Sequence, residues 1–153
     1  NLSCHRLARG ILSRGRHEVE LHWTHGKLRP KAKIDGWDSS TGLLYDLKSC
    51  DSATPDGFRR ACWQYGYHYQ AAYYKRGLRA VGEDPCPMVF VLSEKSVPFH
   101  WHVVGCSPDD VERADAHAES LLSRIEECLE SGEWPGLIGD EPEIVGMRRS
   151  RDD

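Results

Sequence analysis

The sequence predicts a mixed α/β (α+β) domain in which a mixed sheet containing an antiparallel three-strand meander is flanked by helices. Three observations point there. Residues 18–50 fall into β-rich runs separated by turn-rich segments, residues 58–78 carry aromatic and apolar side chains at helical spacing, and Ser107-Pro108 opens a second long amphipathic pattern. The chain has 153 residues, 39% of them hydrophobic and 29% charged, which suffices for one domain with its own core.

In chain order, Leu2, Leu7, Ile11 and Leu12 recur among arginines at spacings near those of a helix, giving the end of an amphipathic helix that stops near Gly15. Glu18 to Trp23 alternates as a strand does, and Thr24-His25-Gly26 turns the chain into a second strand over Lys27–Trp37. Asp38-Ser39-Ser40-Thr41-Gly42 is a further turn, and Leu43–Cys50 completes the meander. Residues 51–56 read as a helix entry, followed by one helix of several turns from Phe58 to about Gly77. Met88–Leu92 and Phe99–Val104 are β-branched or aromatic runs and predict two more strands. Ser107 as cap and Pro108 in the first turn start a helix whose apolar positions are Val111, Ala114, Ala118, Leu121, Leu122, Ile125 and Leu129, ending at Gly132. Residues 137–153 make a polar tail expected to be partly flexible. The chain begins at Asn1 and has methionine only at 88 and 147, so residues 1–153 are expected to form a single domain that lacks its amino-terminal part.

The net charge of −4 hides an uneven distribution. Residues 1–34 hold eight basic and two acidic side chains, and the remaining residues twelve basic and twenty-two acidic ones. A basic leading segment on an acidic body suits a ligand whose phosphates are held locally. No stretch approaches the roughly 20 apolar residues of a membrane-spanning helix. The six cysteines are scattered with no C-x-x-C pair, which excludes a zinc ribbon or a clustered iron–sulfur motif and leaves free thiols in a reducing cytoplasm as the expectation.

The chemistry concentrates in Ile34-Asp35 and Tyr45-Asp46-Leu47-Lys48. Side chains two apart on a strand share a face, so Asp46 and Lys48 project together. If the strands on either side of the Asp38–Gly42 turn pair, Asp35 comes near Asp46, and two adjacent carboxylates repel unless a cation lies between them. Hard oxygen ligands select Mg²⁺ or Mn²⁺. Such an ion beside a lysine suits phosphodiester hydrolysis, whereas the bland reading of Asp46 and Lys48 is an ion pair on a solvated strand. Elsewhere, His100 and His102 would share a strand face but find no third zinc ligand, and His22 and His25 straddle a turn, so all four read as structural or surface histidines. The aromatic cluster of Trp63, Tyr65, Tyr67, Tyr69, Tyr73 and Tyr74 could stack on single-stranded bases but is expected to be mostly core.

Lys33-Ile34-Asp35, Tyr45-Asp46-Leu47-Lys48-Ser49 and Tyr67-His68-Tyr69-Gln70-Ala71-Ala72-Tyr73-Tyr74, in that order, resemble the PD-(D/E)xK nuclease superfamily. More narrowly they resemble its RecE-type (exonuclease VIII) branch, within the group that includes lambda exonuclease. The likeness runs from about His17 to Gly136 and implies a restriction-endonuclease-like core. It implies that Asp35, Asp46 and the main-chain carbonyl of Leu47 bind the metal, Mg²⁺ with Mn²⁺ as a substitute. It further implies that Lys48 is the catalytic lysine and that Gln70 and Tyr74 form a Q-x-x-x-Y helix motif, the glutamine contacting the lysine, a water or the phosphate, and the tyrosine supporting the site. Glu18 aligns with an acidic position of variable role, either near the metal or structural. Members of this branch usually carry a metal-binding histidine on a helix well upstream of the first aspartate. Four histidines precede Asp35 here, His5 and His17 and, beside the turn after the first strand, His22 and His25; the ligand is expected to precede Asn1.

The resemblance therefore implies a Mg²⁺-dependent exodeoxyribonuclease acting on duplex DNA ends, 5′ to 3′, in recombination. It implies a ring-shaped homo-oligomer and a single-strand annealing protein as partner, in a group that is frequently phage-borne. Two alternatives stand beside it: a nuclease-fold DNA-binding or assembly module with an incomplete metal shell, and an endonuclease on the same fold.

Overall fold

The computed structural model describes residues 5–136; the tail expected over 137–153 lies outside them. The elements run α1 (Arg6–Leu12), β1 (Arg16–His22), β2 (Lys31–Asp38), β3 (Leu43–Cys50), α2 (Pro55–Tyr65), α3 (Tyr67–Ala80), β4 (Val89–Glu94), β5 (Trp101–Gly105) and α4 (Pro108–Ser131). The strands form one sheet in the order β1-β2-β3-β4-β5. The first three make the antiparallel meander, β3 and β4 are parallel, and β5 returns antiparallel. A parallel neighbour requires a crossover, and α2 with α3 supplies it.

Local chemistry explains most boundaries. The His5 imidazole accepts from the Ala8 N–H and caps α1. Thr54 and Ser107 cap α2 and α4 with their hydroxyls, and each is followed by a proline whose missing N–H costs nothing in the first turn. Gly132 ends α4 in the left-handed conformation.

Four sequence expectations need correction. The helix expected from Phe58 to Gly77 is two helices, because Gly66 adopts φ 70° and ψ 35° and closes α2 before α3 begins; the second then runs through Gly77 to Ala80. The second strand starts at Lys31 rather than Lys27, since residues 24–30 form a loop in which His25 and Leu28 pair and Trp23 donates to the Pro30 carbonyl. The last strand starts at Trp101 rather than Phe99, whose φ of 58° takes it out of extended geometry. On α4 only Ala114 of the expected apolar stripe is buried, and Leu121, Ile125 and Leu129 are exposed. The first turns of the helix pack on α3, where Arg76 binds Asp115 and Glu119, and its later turns lack that cover.

The core lies on both sides of the sheet. Ile34, Trp37, Leu44, Phe90 and Leu92 pack with Phe58, Ala71 and Leu78 of α2 and α3. Tyr45 and Val91 pack with Ala8 and Ile11 of α1 on the other side. β3 is thus the central strand, and alternate residues on it enter two different environments.

Candidate functional site

Asp35 lies where the β2–β3 ladder ends. The register pairs Asp38 with Leu43, Trp37 with Leu44 and Gly36 with Tyr45, so one further step sets Asp35 opposite Asp46. The ladder stops there, and Asp35 Oδ2 instead accepts a 2.8 Å hydrogen bond from the Leu47 N–H, between Asp46 and Lys48. Gly36 permits the close approach, because a Cβ at that position would lie 1.9 Å from the Tyr45 ring. Asp35, Asp46 and Lys48 therefore meet at mid-sheet, on the central strand, and not at the sheet edge that a simple hairpin suggests.

Asp46 is the only buried charged side chain among the described residues, 2% exposed. Its Oδ2 accepts from Gln70 Nε2 at 2.8 Å. Its Oδ1 faces Lys48 Nζ at 2.5 Å in an ion pair but has no hydrogen-bond partner of acceptable geometry. Burial raises the Asp46 pKa, Lys48 opposes the rise, and the charge of Asp35 adds to it. The fold therefore holds a carboxylate where its charge is under-compensated. Lys48 Nζ also sits over the Tyr67 ring, 4.9 Å from its centroid.

Gln70 and Tyr74, four apart on α3, form one relay. Gln70 Nε2 reaches both Asp46 and, at 3.0 Å, the Tyr74 hydroxyl, and that hydroxyl donates to the Lys33 carbonyl at 2.8 Å. The glutamine thus contacts the aspartate rather than Lys48, and the tyrosine ties α3 to β2 two residues before Asp35. Glu18 is not brought to Asp46. It sits between the pairs His17–Gly36 and Val19–Ile34 with φ 54°, and its carboxylate pairs with Lys33. The hydrogen bond and charge of Glu18 raise the Lys33 pKa, with smaller contributions from Glu20 and Asp35.

The upstream histidines have other partners. His5 caps α1, on the side of the sheet opposite Asp46, and His17 Nδ1 lies 2.8 Å from the Tyr45 hydroxyl. Burial, with help from the Asp35 charge, raises the Tyr45 pKa. His100 binds Glu94, His102 binds the Ala53 carbonyl, and His22 and His25 lie near Glu20 and Glu119. Sequence reasoning read Tyr67 only as one of an aromatic cluster for base stacking or core and gave Lys33 no role of its own; the fold sets Tyr67 beside Lys48 and links Lys33 to Glu18 and Tyr74. Both stand in the motif strings, but only the fold shows what they touch.

Among the described residues no set of three or more His, Cys, Asp or Glu side chains converges to hold a metal. The candidate donors are two carboxylates and a main-chain oxygen, all hard. The buried Oδ1 of Asp46, with no hydrogen bond of its own, and the nearby charge of Asp35 fit a hard divalent cation.

Comparison with known proteins bears on the fold and the family. A crystal structure titled as that of a putative exonuclease from Eubacterium rectale matches with a TM-score of 0.67 at 20% identity, over 86% of this chain and 53% of that one. At this identity the likeness speaks for the fold, and the chain spans about half the length of that protein. No curated protein matches. The family model described as a PDDEXK-like domain of unknown function (DUF3799) matches residues 1–141, nearly the whole chain, and the chain belongs to that family.

Proposed function

We propose that this domain is a metal-dependent deoxyribonuclease that hydrolyses phosphodiester bonds at duplex DNA ends, 5′ to 3′. The observation that carries the reading is Asp46, a buried carboxylate whose Oδ1 meets Lys48 in an ion pair without a well-aligned hydrogen bond, set beside Asp35. Burying it works against folding, since desolvation outweighs the Lys48 ion pair and the Gln70 hydrogen bond and leaves its pKa raised.

Asp35, Asp46 and the Leu47 carbonyl would hold Mg²⁺, or Mn²⁺ in its place. When bound, such an ion lowers the pKa of a water and stabilises charge on the phosphoryl oxygens. Lys48 is held by Asp46 and Tyr67 so that its ammonium can grip a scissile-phosphate oxygen or orient the attacking water. Gln70 fixes the Asp46 rotamer, and Tyr74 fixes Gln70. The same reading includes a ring-forming homo-oligomer that passes a single strand to an annealing protein, and light scattering on the purified protein tests the ring.

One observation favours a second reading, a DNA-binding module without turnover: no third protein carboxylate, histidine or thiol joins Asp35 and Asp46 among the described residues. Incubation with Mg²⁺ and end-labelled linear duplex, alongside a closed circle, separates the cases. Loss of the linear substrate alone, with the 5′ label released first, supports the exonuclease. Cleavage of both substrates makes it an endonuclease, and binding without cleavage leaves the module.

A further inference from the structure

Where β3 ends, the surface next to Lys48 opens into a groove of about 180 Å³ whose lining includes Asp51, Arg60, Gln64, Tyr65, Tyr67 and Lys95. Its inner wall is shared with the site, because Tyr67 also lies beneath Lys48 Nζ. The aromatic rings there form a stair. Phe90 is fully buried, Tyr67 stacks on it at 5.4 Å, and Tyr65 stacks on Tyr67 at 5.8 Å with an interplanar angle of 28°. The outermost ring, Tyr65, is 64% exposed. The left-handed turn at Gly66 makes this possible, since it sets the last residue of α2 beside the first of α3.

Arg60 and Lys95 against the one carboxylate of Asp51 leave the groove net positive beside that ring. Arg60 has no ion pair among the described residues. Lys95 has only a 3.3 Å contact with Asp51, whose side chain is almost fully exposed and can yield to a stronger partner. An exposed aromatic ring in a groove with two cations, sharing Tyr67 with the Lys48 site, is the chemistry that holds an unpaired nucleotide.

The geometry points to a single-strand subsite: one unpaired base of the DNA stacks on Tyr65, Arg60 and Lys95 hold the flanking phosphates, and the strand leads along Tyr67 to Lys48. The subsite rests on the nuclease reading for the position of the scissile phosphate. It adds that the strand enters as single-stranded DNA.

The test is fluorescence anisotropy of a labelled (dT)12 oligonucleotide with the whole chain in EDTA, where binding is read without cleavage. Tyr65→Ala weakens binding about tenfold or more, as loss of a base–aromatic stack does, and Tyr65→Phe stays within about twofold. Arg60→Ala lowers the slope of log K against log salt by about 0.7, the value for one phosphate on a single strand. Circular dichroism melts of each variant check that the fold is kept. Tyr65→Ala binding within twofold of the parent, or a parent that cleaves DNA in Mg²⁺ but has no measurable affinity for (dT)12, overturns the subsite and leaves the nuclease reading standing. Tyr65-dependent binding by a parent that never cleaves in Mg²⁺ or Mn²⁺ does the reverse.

Discussion

β3 and β4 are parallel neighbours at the heart of one sheet, yet they spend burial on different ends. Asp46 is in register with Phe90 and Lys48 with Leu92, so the paired side chains project to the same side, toward α2 and α3. Phe90 is fully buried and Leu92 almost so, and both join the main core. Asp46 is as deeply buried as Leu92 but leaves an oxygen without a hydrogen bond and carries a raised pKa. Asp46 and its neighbours on β4, equally buried, thus differ in what their side chains gain from it. β4 gains hydrophobic stabilisation, and β3 forgoes it at the positions that converge with Asp35. A buried charge with no folding advantage is where function is expected.

The largest effect separates the strands on the β3 side. Asp46→Asn keeps the shape and the Gln70 contact but removes the charge, and on the nuclease reading lowers the Mg²⁺-dependent hydrolysis rate at least 1,000-fold, about 4 kcal/mol of barrier. It also abolishes the rise in melting temperature that Mg²⁺ gives the parent, a readout that needs no turnover. A variant within tenfold of the parent rate would remove Asp46 from the site. The register partner of Lys48 behaves in the opposite way. Leu92→Ala leaves a cavity in the main core and costs about 3–5 kcal/mol of stability. A fall of about 10 °C or more in melting temperature, with activity per folded molecule within about threefold at low temperature, is the expected outcome.

How much of this contrast was legible in the sequence follows from which parts of it are local. The turn at 38–42 and the eleven-residue interval implied that Asp35 and Asp46 meet, because hairpin register depends on neighbouring residues alone. Ser107, Pro108 and Gly132 marked α4 for the same reason. The neighbour of β3 on its far side was not legible, since a parallel pairing forms only after α2 and α3 have crossed over. The Gly66 break was hidden by aromatic residues that keep helical spacing on both sides of it. Gln70 could be found by motif, but its partner could not, because whether its amide meets Lys48 or Asp46 depends on how α3 is set over the sheet. Glu18 shows the same limit: an acid in the right order is turned to Lys33 by a positive φ that no pattern announces.

A smaller effect tests whether the relay on α3 belongs to the β3 function or to the shared core. Tyr74→Phe keeps the ring and removes a hydroxyl that accepts from Gln70 and donates to the Lys33 carbonyl. The expected loss is about 1 kcal/mol of stability. If the relay positions Asp46, the hydrolysis rate falls about tenfold through kcat with KM little changed, whereas a purely structural hydroxyl would change stability alone.

The smallest effect compares the two strands' own carboxylates. Glu94 ends β4, and unlike Asp46 it is fully engaged: Oε1 accepts from the Ala53 N–H at 3.0 Å, and Oε2 meets the His100 N–H and Nδ1 at 3.2 and 2.9 Å. The Ala53 hydrogen bond above all, with those of His100, holds its pKa below the ordinary 4.5, against a smaller opposing effect of burial. A carboxyl whose folded pKa is depressed contributes stability that is present above its unfolded value and is lost as pH falls through the folded one. Glu94→Gln therefore melts below the parent at pH 7, and the gap closes as pH drops below about 4.5. A gap independent of pH would mean that Glu94 acts by shape alone. Asp46 has the reverse sign: its raised pKa makes the folded state favour the proton, so its ionised form weakens the metal-free domain. The carboxylate that completes the structure is stabilised by the backbone around it, and the one that the nuclease reading assigns to metal is left to the Lys48 ion pair and the Gln70 amide.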